Sequence, residues 1–590
     1  MKEKKTNKKT VSQQQGPRTG AQCVVDSLAK AGCEVLFGYP GGQAIDMFNC
    51  IYDAPFQFVL ARHEQGAVHM ADGYARATGK PGCCIVTSGP GATNTITGLA
   101  TANMDGIPLV CITGQVPLHL IGTDAFQEAD VMGITRSVTK HNFLVRDVDE
   151  LPDIIAKAFY IATTGKPGPV VVDIPKNVQK GKTMVPSKDP AEVTMRAYRP
   201  DRIVSEEDIK KLADLINRAE RPLLYVGGGA ISGNATAELF ELAHKAQIPV
   251  CTTMMALGAF PENDPLALGM VGMHGCAAAN YAVDKADLLI SAGARFDDRV
   301  TGKIDQFAKR AVTVHIDIDR SAIGKNVETH FGIHGYLKQV LECVLPRVKK
   351  TTHDAWFKQV REWQANFPLT YPQPEGMLMP QAVIKKIDEL SHGKAIITTD
   401  VGQNQMWAAQ FFSYTKARSF ISSGGLGTMG FGLPAAIGVQ LGRPKELVVC
   451  VTGDGGVQMN IQELVVAVEH KLPIVIVILN NGVLGMVRQW QELFFEKRYS
   501  GVILGQHNRR PNEKIEDRDV YLPDFVKIAE AYGAQAMRVT TEDAVDAALQ
   551  EAFASKKTTV IECIVSPDAN VFPMIPPGMH VSAMVGHTKN

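Results

Sequence analysis

A glycine-flanked acid and a pair of asparagines are the residues whose types and spacing best suit metal chemistry. Gly453-Asp454-Gly455 follows one apolar run, and Asn480-Asn481 follows the next apolar run along the chain. A carboxylate, an amide oxygen and a backbone carbonyl just beyond suit Mg²⁺, which prefers octahedral oxygen ligands and completes its shell with phosphates. Either motif alone is more typical of a turn or a strand end, but the two together predict a diphosphate site bridged by Mg²⁺.

The elements around these motifs explain how they would meet. Residues 447–452 and 474–479 read as buried strands, and Ile461, Leu464, Val465 and Val468 recur at helical spacing between them. A right-handed crossover lays the two strands parallel, so their carboxyl ends emerge on the same side of the sheet. We therefore expect Asp454 and Asn481 to converge.

Gly-Asp-Gly followed at this distance by Asn-Asn resembles the signature of thiamine diphosphate-dependent decarboxylases and carboligases. The resemblance implies that Asp454 and Asn481 bind the metal, together with the backbone oxygen of Val483. It also implies that a carboxyl group of the protein hydrogen-bonds the aminopyrimidine ring of the cofactor. Such a group should lie in an apolar place, where desolvation raises a carboxyl pKa.

Glu64 is the candidate for this acid. Phe56, Phe58 and Leu60 alternate as a strand that Arg62-His63-Glu64 is expected to end, before a helix begins. An ordinary glutamate favoured by the helix dipole is the alternative, and the residues alone leave both open; the resemblance at RHEQGA favours the catalytic role. A zinc motif is excluded because His69 is not four residues after His63.

Composition limits the class of protein. The 590 residues are 45% hydrophobic and 21% charged, with 61 basic and 61 acidic residues, which argues against nucleic acid as a partner. The longest apolar stretches, such as 472–479, are far shorter than the roughly 18 residues of a membrane span. Eleven cysteines without a C-x-x-C pair and a lysine-rich start without an apolar run predict a cytoplasmic protein.

Strands and helices alternate in three stretches, which predicts an α/β protein of three doubly wound parallel-sheet domains. With the functions that the resemblance implies, we expect a disordered tail (1–18), a pyrimidine-binding domain (19–180), a central FAD-binding domain (200–346), a diphosphate-binding domain (378–568) and a C-terminal tail near the active site (569–590). The segments after Cys83 and Val448 share one pattern of strand, glycine turn, helix and proline-led strand. This internal echo predicts that the first and third domains are duplicates that face one another across a cofactor.

Several longer segments carry a closer resemblance across residues 20–580. They are YPGG at 39, RHEQGA at 62, GTDAFQEAD at 122, GMHG at 272, GARFDDRVTGK at 293, TDVGQNQMW at 399 and LGMVRQWQELF at 484. These segments resemble the large catalytic subunits of the acetolactate (acetohydroxyacid) synthases. The resemblance implies that a hydroxyethyl group from pyruvate joins a second 2-oxoacid, pyruvate or 2-oxobutanoate, with loss of CO₂. The products are 2-acetolactate or 2-aceto-2-hydroxybutyrate, in the first common step of branched-chain amino acid biosynthesis.

The family's site residues carry over position by position. The catalytic pair is Glu64 and Gln127. Thiamine diphosphate is assigned Tyr39, Pro40, Gly41, Glu64, Val401, Gly402, Gln403, Asn404, Gly427, Met429, Gly453, Asp454, Gly455, Gly456, Asn481, Val483, Leu484, Gly485 and Met486, and Mg²⁺ is assigned Asp454, Asn481 and Val483. A structural FAD is assigned Lys166, Gly227, Gly228, Gly229, Thr252, Thr253, Met254, Val271, Gly272, Met273, His274, Gly293, Ala294, Arg295, Asp297, Arg299, Asp317, Ile318, Tyr336, Gln405 and Met406. The substrate passage is assigned Phe126, Lys176, Arg299, Met486 and Trp490, with Trp490 placed to favour the larger acceptor.

The sequence departs from the family at Gln43, Lys166, Tyr336 and Gly456, where a small residue, Arg, Asp and Ser are usual. By resemblance we expect a homodimer or homotetramer with active sites between subunits, and a separate regulatory small subunit as a partner. The alternatives are an FAD-dependent pyruvate oxidase or another thiamine diphosphate-dependent decarboxylase, and a catalytically silent scaffold of the same fold. Residues 425–430 match G-x-G-x-x-G, but Glu446 lies in a predicted loop, so we reject a dinucleotide fold there.

Overall fold

The computed structural model describes residues 16–505 and 521–587, so residues 1–15 of the predicted N-terminal tail lie outside the described residues. The described residues form one two-stranded antiparallel sheet and three six-stranded sheets, in which every strand pair is parallel. Their strands are near-continuous apolar runs because helices cover both faces. The predicted α/β class with three parallel-sheet domains is confirmed.

The first sheet lies within residues 35–175. Its domain contains β1 Arg18–Thr19, α1 Gly20–Lys30, β2 Val35–Gly38, α2 Ile45–Ile51, β3 Gln57–Leu60, α3 Glu64–Thr78, β4 Gly82–Val86, α4 Pro90–Thr93, α5 Ile96–Asp105, β5 Leu109–Gln115, α6 Val131–Thr135, β6 His141–Leu144, α7 Leu151–Thr163, β7 Pro169–Pro175, α8 Lys176–Lys180 and β8 Lys182–Thr183. Strands β1 and β8 pair antiparallel, which ties the start of the domain to its end.

The central sheet lies within residues 222–334. Its domain contains α9 Glu206–Arg218, β9 Pro222–Val226, α10 Gly229–Ser232, α11 Thr236–Ala246, β10 Val250–Thr252, β11 Ala267–Met270, α12 Ala277–Lys285, β12 Leu288–Ala292, α13 Asp298–Thr301, β13 Val312–Asp317, β14 Phe331–His334, α14 Leu337–Val344 and α15 Asp354–Asn366.

The third sheet lies within residues 396–564. Its domain contains α16 Pro380–Ser391, β15 Ile396–Thr399, α17 Gln403–Phe411, β16 Phe420–Ile421, α18 Gly432–Gly442, β17 Val448–Gly453, α19 Asp454–Val457, α20 Leu464–Glu469, β18 Ile474–Asn480, α21 Gly485–Phe494, α22 Phe525–Ala531, β19 Gln535–Val539, α23 Glu542–Ala554 and β20 Thr559–Ile564.

Strand order relates the first sheet to the third. Numbered by chain order within each sheet, both run 2-1-3-4-6-5, whereas the central sheet runs 3-2-1-4-5-6. The shared order matches the internal echo of the sequence. In open parallel sheets, ligands bind at the carboxyl ends of the strands where the order reverses. Those switch points lie between β2 and β4, between β9 and β12, and between β15 and β17.

Helices α3 and α18 join the first domain to the third. Their backbones lie so close that a Cβ on Gly73 would fall 2.3 Å from the Ala435 carbonyl, and one on Gly438 would fall 1.8 Å from the Met70 carbonyl. The side chain of His63 caps the start of α3, and Gly79, with φ 76°, ends it. A hydrophobic core continuous across both domains surrounds this contact. None of the helices within residues 16–505 and 521–587 is long and apolar enough to span a membrane.

Candidate active site

The two predicted metal-binding motifs meet at the carboxyl edge of the third sheet. Asp454 begins α19 directly after β17, and Asn481 follows the neighbouring strand β18. The Asp454 carboxylate accepts hydrogen bonds from the backbone N–H groups of Gly455 at 2.9 Å and Gly482 at 2.7 Å. The two motifs therefore lie together, and the turn after Asn481 donates a backbone hydrogen bond to the Asp454 carboxylate.

Asp454 is buried, and burial raises the pKa of its carboxyl group to about 7, although the backbone N–H donors act in the opposite direction. Asn481 turns its amide oxygen to the Val483 N–H at 3.1 Å. Val483 forms an isolated bridge with Ile503, whose two hydrogen bonds run from Leu484 N to Val502 O and from Leu504 N to Gly482 O. The bridge therefore does not use the Val483 carbonyl. A buried carboxylate beside further oxygen donors suits a hard divalent cation.

Residues from the neighbouring strand β15 complete this edge. Gly402, with φ 148°, turns the chain into α17, and Val401 lies 3.8 Å from a Cβ built on Gly427. The buried Gln403 donates to Gln489 and to the Ala569 carbonyl, while its own Oε1 lacks a hydrogen-bond partner. These contacts bring the start of the C-terminal segment to the site.

Two glycines let neighbouring side chains pack closely against the floor of this site. A Cβ on Gly455 would lie 2.8 Å from Leu484 and 3.8 Å from Met429. A Cβ on Gly456, where the family usually has Ser, would lie 2.3 Å from the buried Asp400 carboxylate. In this chain the space of that side chain is therefore taken by Asp400.

Glu64 is the first residue of α3 rather than the last residue of a strand. Its carboxylate accepts a hydrogen bond from Asn94 Nδ2 at 3.0 Å and lies 3.5 Å from a Cβ built on Gly91, in the helix α4 that follows β4. Tyr39, Pro40 and Gly41 follow β2 at the same edge. Glu64 therefore stands at the switch point of the first sheet.

Gln127 and Phe126 lie on the loop beside this switch point. Gln127 has φ 60°, and its backbone packs against Gly89, where a Cβ would lie 2.7 Å from the Gln127 carbonyl oxygen. The side chain of Phe126 is 83% exposed. Lys176 donates to the Gly42 carbonyl at 2.8 Å and pairs with Asp46. Among the described residues, the polar contacts of Glu64 and Lys176 stay within the first domain.

A cavity of about 550 Å³ opens at the switch point of the central sheet, between all three domains. This volume lies within the range of small-molecule and cofactor sites. The expected residues that line it are Lys166, Gly227, Gly228, Gly229, Thr253, Met254, Val271, Met273, His274, Gly293, Ala294, Arg295, Asp297, Arg299, Asp317, Ile318, Gln405 and Met406. Three other expected residues do not line it: Thr252 is the buried end of β10, Gly272 bends the chain next to the lining, and Tyr336 accepts a hydrogen bond from Gly165 N.

Sequence reasoning missed part of the lining. Met104 and Asp105 come from the end of α5, and Ser423 and Gly424 come from the loop before α18. The glycine at 424 is the one residue type here that could have indicated close packing, because a Cβ there would lie 2.2 Å from the Met255 sulfur. The contact itself joins distant parts of the chain.

Polar atoms without partners lie in or next to this cavity. The Tyr225 hydroxyl, the Thr252 hydroxyl and His274 Nδ1 are buried and lack hydrogen bonds within the described chain. Burial lowers the pKa of His274 to about 4, so its ring is neutral at pH 7. Because buried polar groups are normally paired, these atoms fit a polar ligand such as a flavin nucleotide. Lys166, where the family usually has Arg, reaches Asp319 at 3.1 Å on the rim.

The cavity meets the diphosphate edge through α21. Met486 and Trp490, on successive turns of that helix, line the same cavity as Arg299. The Arg299 guanidinium lies 5.7 Å from the centre of a Trp490 ring. Three of the five predicted passage residues are thus together, whereas Phe126 and Lys176 lie at the edge of the first domain.

Comparison with protein families agrees with this geometry. Three family models match: the N-terminal TPP binding domain of thiamine pyrophosphate enzymes over residues 18–134, their central domain over 209–344 and their C-terminal TPP binding domain over 400–563. The first match covers strands β2 to β5, the second covers the whole central sheet, and the third covers β16 to β20. The fold and the site are therefore those of a thiamine pyrophosphate enzyme.

Curated relatives narrow the class. An acetolactate synthase large subunit of Haemophilus influenzae is 44% identical over 94% of this chain and 96% of its own length. An acetolactate synthase of Mycobacterium bovis is 47% identical over 95% of this chain and 90% of its own, and a probable large subunit of Methanocaldococcus jannaschii is 45% identical over 96% and 95%. The chain belongs to the acetolactate synthase large-subunit family.

Proposed function

We propose that this protein is an acetolactate synthase that condenses two 2-oxoacids with loss of CO₂, using thiamine diphosphate and Mg²⁺. The observation that carries the proposal is the buried Asp454 bound to the Gly482 backbone beside Asn481, at the carboxyl edge of a sheet that matches the TPP-binding family model. The relatives' names supply the substrate class.

The residues of the third domain fit the diphosphate end of the cofactor. Asp454, Asn481 and the Val483 carbonyl would hold Mg²⁺, and the glycine at 453 leaves space for phosphate oxygens. Leu484 and Met429 lie beside that space and would support the rings. When bound, thiamine diphosphate supplies the carbon nucleophile that adds to a 2-oxoacid and releases CO₂.

Glu64 would hold a proton at the far end of the cofactor. Its carboxylate is fixed by Asn94 and by the start of α3, and it lies beside Gly91 in a tightly packed turn. A carboxyl group so placed can share its proton with the ring nitrogen of the aminopyrimidine. Gln127, on the neighbouring loop, would contact the incoming acceptor.

We propose that two copies of the chain build each site. Glu64 and Asp454 belong to domains of identical strand order, and the polar contacts described for Glu64 stay within its own domain. Phe126 exposes 83% of its side chain although it is assigned to the passage. A second copy that covers the Glu64 edge with the Asp454 edge would explain both facts.

The cavity of the central domain is proposed to hold FAD. The glycines at 227, 229 and 293 let two backbone turns lie close together at its wall. The buried Tyr225 hydroxyl has no hydrogen-bond partner within the described residues and could bind a polar group of the cofactor. The condensation moves no net electrons, so the flavin would act as a structural group. The guanidinium of Arg299 is a suitable partner for the acceptor carboxylate beside Trp490.

The test is acetolactate formation from pyruvate by the purified chain without oxygen or another electron acceptor. We expect product only with Mg²⁺ and thiamine diphosphate, loss of product after chelation, and recovery when Mg²⁺ is restored. Glu64→Gln should abolish turnover, whereas Glu34→Gln, an exposed acid paired with Lys80, should not. Turnover that requires an electron acceptor would instead identify a pyruvate oxidase, and no turnover at all would identify a scaffold.

A further inference from the structure

A second buried acid lies against the turn that presents Glu64. Glu463 belongs to the third domain, in the segment between α19 and α20, and its side chain has no exposed surface. Both of its carboxylate oxygens accept the backbone N–H of Arg62 in the first domain, at 3.2 and 3.0 Å. The backbone N–H of His63 also favours the charged form of this carboxylate. The acid therefore lies against the two residues that precede Glu64.

Gly66 leaves the space that the Glu463 carboxylate occupies. A Cβ built on Gly66 would lie 2.4 Å from Glu463 Oε1 and 2.7 Å from its Cδ. Since real Cβ atoms do not approach so closely, glycine at 66 is what allows the acid to lie against the first turn of α3. The contact is thus fitted from both sides of the domain interface.

The segment that carries Glu463 starts at Asp454, the proposed metal ligand, which serves a different site from Glu64 of the same chain when two copies build each site. Asp454 opens α19, and its backbone carbonyl accepts from Gln458 at 2.8 Å. Asn460 then donates to the Gly430 carbonyl at 2.8 Å, next to Met429. A short, hydrogen-bonded segment therefore joins the proposed metal ligand of one site to the turn before Glu64, which belongs to the other.

We propose that Glu463 is a positioning residue for Glu64: its carboxylate holds the Arg62–His63 turn and thereby fixes the orientation of the Glu64 carboxyl group toward the cofactor. This inference rests on the proposed function. Glu463 is not itself a catalytic residue, because its oxygens are taken up by backbone donors. A misplacement of a reacting group by about 1 Å can cost roughly 100-fold in rate, so a small shift of this turn would be measurable.

The charge on Glu463 matters for this contact. Burial raises the pKa of its carboxyl group to about 7, while the Arg62 and His63 N–H donors and the Arg62 charge oppose the rise. The charged side chain that acts on it is Arg62 of the first domain, and the Arg62 guanidinium also pairs with Glu469 of the third domain. Protonation below neutral pH replaces an acceptor with a donor that faces N–H groups, which loosens the turn.

The experiment compares Glu463→Gln and Gly66→Ala with the wild-type protein and with Glu469→Gln as the matched control. Glu463→Gln removes the charge of the carboxylate and keeps the shape of the side chain. Gly66→Ala leaves the carboxylate unchanged but pushes it away from α3. The control Glu469→Gln removes the exposed acid that pairs with the Arg62 guanidinium. The measurements are the rate of deuterium exchange at C2 of bound thiamine diphosphate, the dissociation constant of that cofactor, kcat and KM for pyruvate, and the pH profile of kcat.

We expect both test variants to slow the exchange and kcat by roughly 10- to 100-fold, with the cofactor dissociation constant and KM changed less than about 3-fold. The acid limb of the pH profile near 7 should disappear in Glu463→Gln. Wild-type exchange and pH profile in both variants would overturn the assignment, and so would failure of both to fold, which would make the contact purely structural. Wild-type acetolactate formation and its loss in Glu64→Gln test the proposed function separately.

Discussion

The buried ion pair network of Arg76 leads to a prediction that can be worked out from the structure. Arg76, on α3, binds Asp72 one turn earlier, Asp105 at the end of α5 at 2.9 Å, and the Ser422 carbonyl at 3.0 Å. Asp105 in turn accepts the Gly425 N–H at 2.8 Å. Burial lowers the pKa of Arg76, but the two carboxylates outweigh it and the net shift is upward. The arginine is therefore charged and is the cation that neutralises both acids.

Arg76→Met would leave Asp72 and Asp105, with side chains 0% and 3% exposed, without a cation. Breaking a buried ion pair from one side costs about 3–5 kcal/mol, and two uncompensated acids place this variant at the upper end. Removing both carboxylates as well, in Asp72→Asn/Arg76→Met/Asp105→Asn, should recover most of that loss. Lys80→Met breaks an exposed pair with Glu34 and should cost less than about 1 kcal/mol.

Urea unfolding followed by tryptophan fluorescence and far-UV circular dichroism measures these costs. Three domains need not unfold in one step, so the midpoint of the first transition is the quantity to compare. The loop of Ser422 and Gly425 precedes Met429, so acetolactate formation should fall as well. An Arg76→Met protein with the wild-type midpoint, or a triple variant less stable than the single one, would refute the reasoning.

Three further predictions concern the α3–α18 contact, a buried acid of the first domain and the substrate passage. Gly438→Ala places a methyl group 1.8 Å from the Met70 carbonyl, so the urea midpoint should fall by the equivalent of at least about 1–3 kcal/mol. Burial raises the pKa of Asp173 to about 7, so the stability it contributes is full below about pH 4 and is lost as pH rises through 7; Asp173→Asn should flatten the pH dependence of thermal unfolding in that window. Trp490→Leu should lower the ratio of 2-aceto-2-hydroxybutyrate to 2-acetolactate in mixed-substrate assays by about 10-fold, since one methylene in a pocket is worth about 1–3 kcal/mol, and an unchanged ratio would remove Trp490 from acceptor selection.

The sequence predicted the parts of the site that local rules determine. Asp454 and Asn481 were expected to meet because the handedness of a βαβ unit leaves no other place for two successive strand ends. The echo after Cys83 and Val448 likewise predicted two duplicated domains, and their sheets share one strand order. Glu64 was found through its family motif, although it starts a helix instead of ending a strand.

Contacts between domains could not be predicted in this way. Glu463 reads in the sequence as one more glutamate near the start of a helix, and only the packed structure shows that it lies against Arg62. Asp105 similarly reads as a helix end, yet it binds Gly425 across two domains. Hydrophobic periodicity indicates which face of an element is buried. It does not indicate which distant backbone group a polar side chain will contact.

The tight fit of α3 on α18 bears on how the proposed active site is completed. Cβ atoms at Gly73 or Gly438 would overlap the opposing backbone, so the two helices have no freedom to slide or open without breaking a core shared by both domains. The distance between Glu64 and Asp454 of one chain is then a fixed property of the fold. Domain closure within one chain is therefore a poor way to bring the acid to the cofactor. A second copy that docks the Glu64 edge of one chain on the Asp454 edge of another needs no such motion, and the exposed Phe126 lies on the edge that would be covered.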